Sequence, residues 1–374
     1  MILRMRLLDR YLLRELLVPL AYCLGGFLIF YVAFDLIFGI KGFQEKHLNA
    51  ADLAEYYVVT LPELLVAQVI PVSLLLALLY VLTNHNRHNE LTAMRAAGVS
   101  LGRLSMPYLC VGVFLGLVVL AMNELLVPQS AEKARDILRR HQPHPENHAF
   151  PSKLVFYNQG RQWEVSGFNP VTTEMTAPNI QWELPNGSHR YISADRGIYA
   201  QGRWFFYHAI EWDGSSPAGP SFSDTHASNA VLALTLSETP AWVKIAIKVA
   251  AVNPVEAARK PQLSISEILG YLRPNPRLNP ALRATLLTQL QCRLAEPFTC
   301  LAVVLIALPF GARAGRHNVF AGVASSVFIC FAYFIMQRIS MGLGVGGKLP
   351  PVLAAWLPNL VFGMTGLALL WRAR

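Results

Sequence analysis

Charge is scarce in this chain. Asp, Glu, Lys and Arg together make up 15% of its 374 residues, where about 25% is usual in a soluble domain. Hydrophobic residues make up 53%, a content that a soluble core hides only by dispersing it at helix or strand period. Here it comes in uninterrupted runs, which marks an integral membrane protein. Cysteine is equally uninformative as a framework: Cys23, Cys110, Cys292, Cys300 and Cys330 all fall in or beside the apolar runs, and none lies in the long polar segment. No disulfide scaffold is implied, and the thiols read as small apolar side chains. Catalytic signatures are also lacking: the sequence shows no clustered metal ligands and no nucleophile elbow. His85 and His88 stand three residues apart with no third ligand nearby. The stretch from Gly342 to Lys348, GLGVGGK, has phosphate-loop spacing, but an apolar run precedes it and Leu349-Pro350-Pro351 follows. A phosphate loop needs a strand before it, a helix start after it and Ser or Thr next to the lysine, so this one reads as a turn between two spans. The net charge of +9 comes without a basic patch interleaved with stacking aromatics, which argues against nucleic acid. Neither an enzyme nor a cofactor nor a metal is indicated.

A helix needs about 20 apolar residues to cross a hydrocarbon core of about 30 Å. Six charge-free runs come near this, at 16–34, 64–83, 104–123, 297–312, 318–337 and 349–371. The fourth reaches full length only by continuing upstream through Glu296 and Arg293, so those charges should lie at a membrane boundary or face protein. The first run is too long for a signal-peptide core and reads as a retained anchor. Short loops sort into two sets: Arg4, Arg6, Arg10, Arg14, Arg87, Arg95, Arg103, Arg313, Arg316, Arg372 and Arg374 on one side, and Lys41, Lys46 and Lys348 on the other. Basic residues are retained on the cytoplasmic side, so both termini are expected there.

Between the third and fourth runs lies a polar segment, 128–291, with a different composition. It opens with a helical stretch at 131–140 and passes Pro143, Pro145 and Pro151. It then turns to strand period, with Leu154 and Phe156; Trp163 and Val165; Ile180, Trp182 and Leu184; and Trp204, Phe206, Ile210 and Trp212. Turn signals at Asn158-Gln159-Gly160, Pro185-Asn186-Gly187 and Gln201-Gly202 separate these runs, which predicts an antiparallel β domain with one strongly apolar face. Sandwich, open jelly roll and barrel all satisfy the pattern, and so do a filled core and a lipid-binding trough. Ser264 and Glu267 form a capping-box pattern that starts a helix ending at Leu272, before Pro274 and Pro276.

The loop at 84–103, NHNRHNELTAMRAAGVSLGR, predicts a short amphipathic helix beneath the membrane. Asn89 is placed to cap it, Glu90 suits its positive end, Arg95 its later turns, and Gly98 its termination. Leu91 and Met94 share a face, an apolar knob with a charged rim suited to docking a partner.

The segments Leu8-Asp9-Arg10-Tyr11, Glu90 to Gly98, Asn123-Glu124 with Val127-Pro128, Leu263-Ser264-Ile265-Ser266, Ala307-Leu308-Pro309-Phe310-Gly311 and Leu349-Pro350-Pro351 through Ala355-Trp356-Leu357-Pro358-Asn359 resemble the lipopolysaccharide-export permeases, the LptF/LptG family, over nearly the whole chain. The first and last of these segments look more like LptG than LptF. The resemblance implies an α-helical inner-membrane protein of six transmembrane helices with an inserted periplasmic antiparallel β domain of jelly-roll type. Its parts would be 1–127 with a coupling helix near 89–98, then 128–291, then 292–374.

The same resemblance implies a non-catalytic permease subunit. It would pair with a second permease, LptF-like beside an LptG-like chain, and dock a dimeric LptB-like ATPase through Glu90, Leu91, Met94, Arg95 and Gly98. Lipopolysaccharide would be passed through the apolar trough of the β domain to an LptC- or LptA-like periplasmic bridge. Glu90 would pair with a basic residue of the ATPase while Leu91 and Met94 fill its groove. Lys41, Arg293 and Asp35 are the candidate substrate contacts; the LptG pattern puts several lysines near the outer end of the first helix, where this chain has Asp35, Lys41 and Lys46. Two rivals from other classes are a mechanotransmission permease, whose inserted domain commonly follows the first of four spans, and a scaffold or sensor without transport.

Overall fold

The computed structural model describes residues 7–140, 154–158, 160–169, 172–183, 188–214, 226–227, 232–234, 236–250, 252, 263–276, 278–313 and 319–372. The chain forms two compact units, one of residues 1–141, 254–264 and 284–374, the other of residues 142–253 and 265–283. The proline stretch 143–151 and the turn at Pro185-Asn186-Gly187 lie outside the described residues.

The first unit is helical. Its first helix, α1 (Leu7–Glu45), is 39 residues long, about 58 Å at 1.5 Å per residue, roughly twice the hydrocarbon thickness. The next helical run is unbroken but changes pitch: α2 (Ala50–Leu64) passes through one π-helical turn (Leu65–Val69) into α3 (Ile70–Arg87). Then follow α4 (Glu90–Ala96), α5 (Leu101–Leu125) and α6 (Val127–Arg139). After the second unit come α9 (Pro280–Arg313), α10 (Val319–Val345) and α11 (Pro351–Arg372).

Among the described residues, five helices are long and apolar enough to cross a membrane: Leu7–Glu45, Leu101–Leu125, Pro280–Phe310, Val327–Val345 and Pro351–Arg372. The run expected at 64–83 is not among them. It falls across the π turn and α3, whose final turn, Asn84-His85-Asn86-Arg87, is polar. The core of this unit joins Leu12, Leu16 and Leu20 of α1 to the Leu74–Leu82 face of α3, Tyr108 and Val119 of α5, and Val304 and Ala307 of α9. Small residues set how closely α5 and α9 approach. A Cβ at Gly116 would stand 2.5 Å from the Pro297 carbonyl oxygen, so only glycine fits there. The glycine-rich stretch at 342–348 closes α10 and turns into α11, with Gly347 at φ +70° and Lys348 N–H donating to Leu343 O at 2.9 Å.

The second unit holds two antiparallel sheets. The strands are β1 (Leu154–Asn158), β2 (Arg161–Val165), β3 (Gly167–Asn169), β4 (Glu174–Thr176), β5 (Asn179–Glu183), β6 (His189–Ser193), β7 (Arg196–Ala200), β8 (Arg203–Tyr207), β9 (Ile210–Gly214), β10 (His226–Ala227) and β11 (Leu232–Leu234). One sheet has the order β1-β2-β5-β6-β9-β10 and the other β11-β8-β7-β4-β3. Register follows turn chemistry: Gln201 and Gly202 both take positive φ, 52° and 79°, the type I′ geometry whose twist matches a two-residue hairpin between β7 and β8. Two helices, α7 (Pro240–Ala250) and α8 (Ile265–Leu272), pack on each other through Trp242 stacked on Tyr271 and through Lys248 Nζ donating to Glu267 Oε1 at 2.6 Å.

The apolar face is filled. Phe156 and Trp163 of one sheet meet Trp204 and Phe206 of the other, all fully buried, and Trp242 closes on Phe156 with ring centroids 5.9 Å apart. Burying such side chains contributes about 1.5–3 kcal/mol each, which keeps the space between the sheets shut. Around these four rings the described residues form a packed core, the filled alternative that the strand pattern allowed. Glu238, wholly buried, locks it: its carboxylate accepts from Arg161 Nη1 at 2.9 Å and from Trp163 Nε1 at 3.3 Å, and its carbonyl from Trp204 Nε1 at 2.6 Å.

Candidate functional site

The loop between α3 and α5 is built as a separate short helix. Asn89 precedes α4 with φ 59°, and its side chain makes no capping bond. The expected cap is thus corrected: Asn89 takes a left-handed backbone where the chain turns from α3, not the extended conformation of a capping residue. The C-terminus follows expectation. Gly98 takes φ +83°, its N–H donates to Arg95 O at 3.0 Å, and Val99 N–H donates to Met94 O at 3.1 Å. This is a Schellman closure, which needs glycine at the left-handed position. Ser100 Oγ then accepts from Arg103 N–H at 3.3 Å and starts α5.

Glu90 is the centre of this loop. Its Oε2 accepts from the Tyr11 hydroxyl at 2.9 Å and bonds His85 Nδ1 at 2.7 Å, so α4 is tied both to the start of α1 and to the end of α3. Burial of the carboxylate works against its ionisation, but the bonds from His85 and Tyr11 and the charges of His85 and His88 outweigh it and hold Glu90 below its ordinary value. The Tyr11 and His85 rings stand 5.8 Å apart, and His85 is 1% exposed. A second tie runs beside it, from Arg103 Nη2 at the start of α5 to Asp9 Oδ2 on α1 at 2.7 Å.

The apolar pair on α4 faces inward. Leu91 is 7% exposed and belongs to the helical core, and Met94 packs against that core. The expected outward knob is corrected for a physical reason: a seven-residue helix has too few backbone bonds to stand alone and holds its shape by burying its apolar stripe on its own chain. What remains outward is Thr92, Ala93, Arg95, Ala96 and Gly98, all exposed.

A second polar cluster joins α5, α9, α10 and α11. Arg293, 3% exposed, donates through Nη1 to Asn123 Oδ1 and through Nε to Leu263 O at 3.2 Å, while Asn123 Nδ2 donates to Glu296 Oε2. The two charges face protein, as their place within an apolar run requires. Beside them the Thr299 hydroxyl bonds the Tyr333 hydroxyl at 2.9 Å, Tyr333 donates to Asn359 Oδ1 at 2.8 Å, and Asn359 Nδ2 donates to Ala295 O at 2.8 Å. Because tyrosine has one proton and gives it to Asn359, Thr299 is the donor to Tyr333. Arg293, expected to face protein or a membrane boundary, is the hub of an internal network. Asp35 accepts from the Tyr57 hydroxyl at 3.0 Å, and Lys41, four residues before the end of α1, is exposed.

The paired segments Leu8 to Tyr11 and Glu90 to Gly98 thus meet in one cluster, and Asn123, Leu263 and Asn359 in the other. Residues 10–372 match the family model described as lipopolysaccharide export system permease LptF/LptG. The chain belongs to the LptF/LptG family. No individual curated protein matches it. LptF/LptG is the permease of the lipopolysaccharide export system, a transporter component rather than a catalytic enzyme, and it works with the other Lpt components. The match, together with five crossing-length apolar helices, makes the chain a multi-pass inner-membrane protein. The family description joins LptF and LptG and does not separate them.

Sequence reasoning missed Tyr11, His85, Asp9 and Arg103 in the first cluster and Tyr333 and Thr299 in the second. Asp9 and Tyr11 stood in a segment that carries the resemblance, His85 in a histidine pair and Arg103 in the basic set, but none was joined to its partner, which lies 26 to 94 positions away outside the His85–Glu90 pair.

Proposed function

We propose that this chain is the LptG-like permease of an ATP-driven lipopolysaccharide exporter, paired with an LptF-like second permease. The continuous helical run through the π turn supplies the sixth crossing, with side-by-side apolar residues from 64 to 83. Eleven arginines against three lysines in the short loops put both termini and α4 in the cytoplasm and the segment 128–291 in the periplasm. The outward face of α4 docks an LptB-like ATPase dimer, and the β unit hands lipopolysaccharide to an LptC- or LptA-like bridge. The observation that carries this reading is the pair of ties from α1 to the α4 loop, Tyr11 to Glu90 and Asp9 to Arg103. A docking helix held only by its loop would move alone; one bonded to the first crossing moves that crossing with it.

The docking assignment is tested on residues that leave the ties intact. With Ala93→Trp or Arg95→Glu, the co-expressed ATPase is expected to be lost on purification while the second permease is retained. ATPase recovered in wild-type amounts with both variants overturns the assignment.

A further inference from the structure

The first unit contains a groove that borders the first polar cluster at Tyr11 alone and the second nowhere in its lining. It is a cavity of about 660 Å³ between α1 and α3, with Tyr11, Arg14, Glu15 and Asn84 at one end and Val18 and Leu76 towards the other. Its lining on α1 runs from Tyr11 to Cys23, a rise of about 18 Å, close to half of a hydrocarbon core of about 30 Å. A groove as deep as one leaflet, polar at its outer end and apolar at its inner end, has the layout of a lipid. The charges select among lipids. Arg14 and Glu15 both line the polar end, and neither has a hydrogen bond or ion pair among the described residues. Arg14 alone would be explained by a cation reaching the interface along its own stem. Glu15 is not, because a carboxylate there repels the anionic lipids that a lone arginine would attract.

We propose that this groove binds a zwitterionic phospholipid of the phosphoethanolamine class, from the leaflet that faces the start of α1. The phosphate sits on Arg14, the ammonium on Glu15, and an acyl chain lies along Val18 and Leu76. A single-phosphate anionic lipid would leave Glu15 unmatched, and a helix from a partner would have to bring two opposite charges to the same two positions. The Tyr11 hydroxyl lines this end of the groove and also donates to Glu90, so the lipid head lies against the tie to α4. The inference rests on the proposed orientation, not on lipopolysaccharide being the cargo.

The test uses the full chain with its co-purified partner subunits in nanodiscs of equal parts phosphatidylethanolamine and phosphatidylglycerol, with retained lipid measured by native mass spectrometry. Wild type is expected to retain phosphatidylethanolamine in excess. Arg14→Gln should weaken that retention about tenfold, the size of one lost charge-assisted bond. Glu15→Gln should abolish the preference while total retained lipid holds, and Leu76→Trp or Val18→Trp, on separate helices, should exclude both lipids. A retained mixture equal to the bulk, or unchanged retention with both tryptophan variants, overturns the proposal, as does a preference for phosphatidylglycerol. Bound lipopolysaccharide is counted in the same spectra. Its loss in Arg14→Gln with phosphatidylethanolamine unchanged would assign the groove to the cargo and refute the phospholipid. Lost phospholipid preference with transport intact leaves the permease reading standing.

Discussion

Replacing Asn123 with leucine removes a bridge between two charges and nothing else of similar volume. The amide accepts from Arg293 and donates to Glu296, so the substitution breaks two bonds to charged groups in a site where Arg293 is 3% exposed. Two scales bracket the cost. Ordinary interhelical hydrogen bonds in membranes average about 0.6 kcal/mol, because the unfolded helices find other partners within the bilayer, which puts the pair near 1 kcal/mol. Breaking a buried charged network costs about 3–5 kcal/mol, because a charge is left facing apolar atoms. The geometry favours the larger figure, since Arg293 is also fixed to the Leu263 carbonyl and cannot swing to water without losing that bond. Tryptophan-fluorescence denaturation in mild detergent, for Asn123→Leu, Arg293→Met and the double variant, measures it. A loss of about 3 kcal/mol in each single variant, with a double variant well short of additive, is expected. A loss below about 1 kcal/mol in Asn123→Leu would refute the reasoning and reduce the cluster to ordinary interhelical bonding.

Three further outcomes follow from the same geometry. Because the Glu90 carboxyl is held below its ordinary value, its contribution is fully present above the unfolded value of about 4.3 and fades as pH falls through the lowered one; wild type minus Glu90→Gln should show that loss in denaturation midpoints below about pH 4.5, and a difference constant with pH contradicts it. Gly116→Val puts a side chain on the Pro297 carbonyl and should cost about 1–3 kcal/mol or more in thermal stability, whereas Gly102→Ala, which meets nothing within 4 Å, should be near neutral in the same melt. Glu238→Leu keeps the backbone carbonyl that accepts from Trp204 but strands Arg161 and the Trp163 indole N–H in the β core, so the change should destabilise that unit by about 3 kcal/mol or more, read as early proteolysis within 154–250; unchanged protease resistance would contradict the lock.

What could be read ahead of the structure was whatever repeats locally. Runs of apolar residues marked the crossings, alternation marked β1, β2, β5, β8 and β9, and Gly98 and Gly202 marked a helix end and a hairpin, because each signal lies within a few residues of its effect. The strands β3, β4, β6 and β7 were missed: β3 and β4, three residues each, have no period to detect, and β6 and β7, five residues each, lack strict alternation, with burial running iiBBi and eBiie. The apolar stretch 64–83 was read as one uniform run, but a π turn at Leu65–Val69 interrupts it, and hydropathy carries no information on pitch. Leu91 and Arg293 show the limit of local reading. That Arg293 faces protein followed from its place in an apolar run, but its partner Asn123 lies 170 positions away; that Leu91 lies on an apolar face was legible, but the core beneath α4 that covers it was not.

Both polar clusters touch the same helix. Arg103, in the first turn of α5, is bonded to Asp9, and Asn123, in its last, holds Arg293 and Glu296. Twenty residues separate them, about 30 Å of rise, which is the thickness of the hydrocarbon core. Polar groups placed at the two ends of such a helix need not enter the apolar middle, so their cost stays low. Between them α5 meets α9 through glycines rather than polar bonds, at Gly112 and Gly116, and van der Waals contact is the stronger packing force where no water is displaced. A displacement of the α4 loop would therefore reach the Arg293 cluster through a helix fixed at both ends. If α5 transmits in this way, Asp9→Asn, which weakens the bond to Arg103 without touching Glu90, should lower transport per ATP hydrolysed in the reconstituted complex while ATPase docking is unchanged. Coupling equal to wild type with Asp9→Asn would show that α1 and α5 move independently.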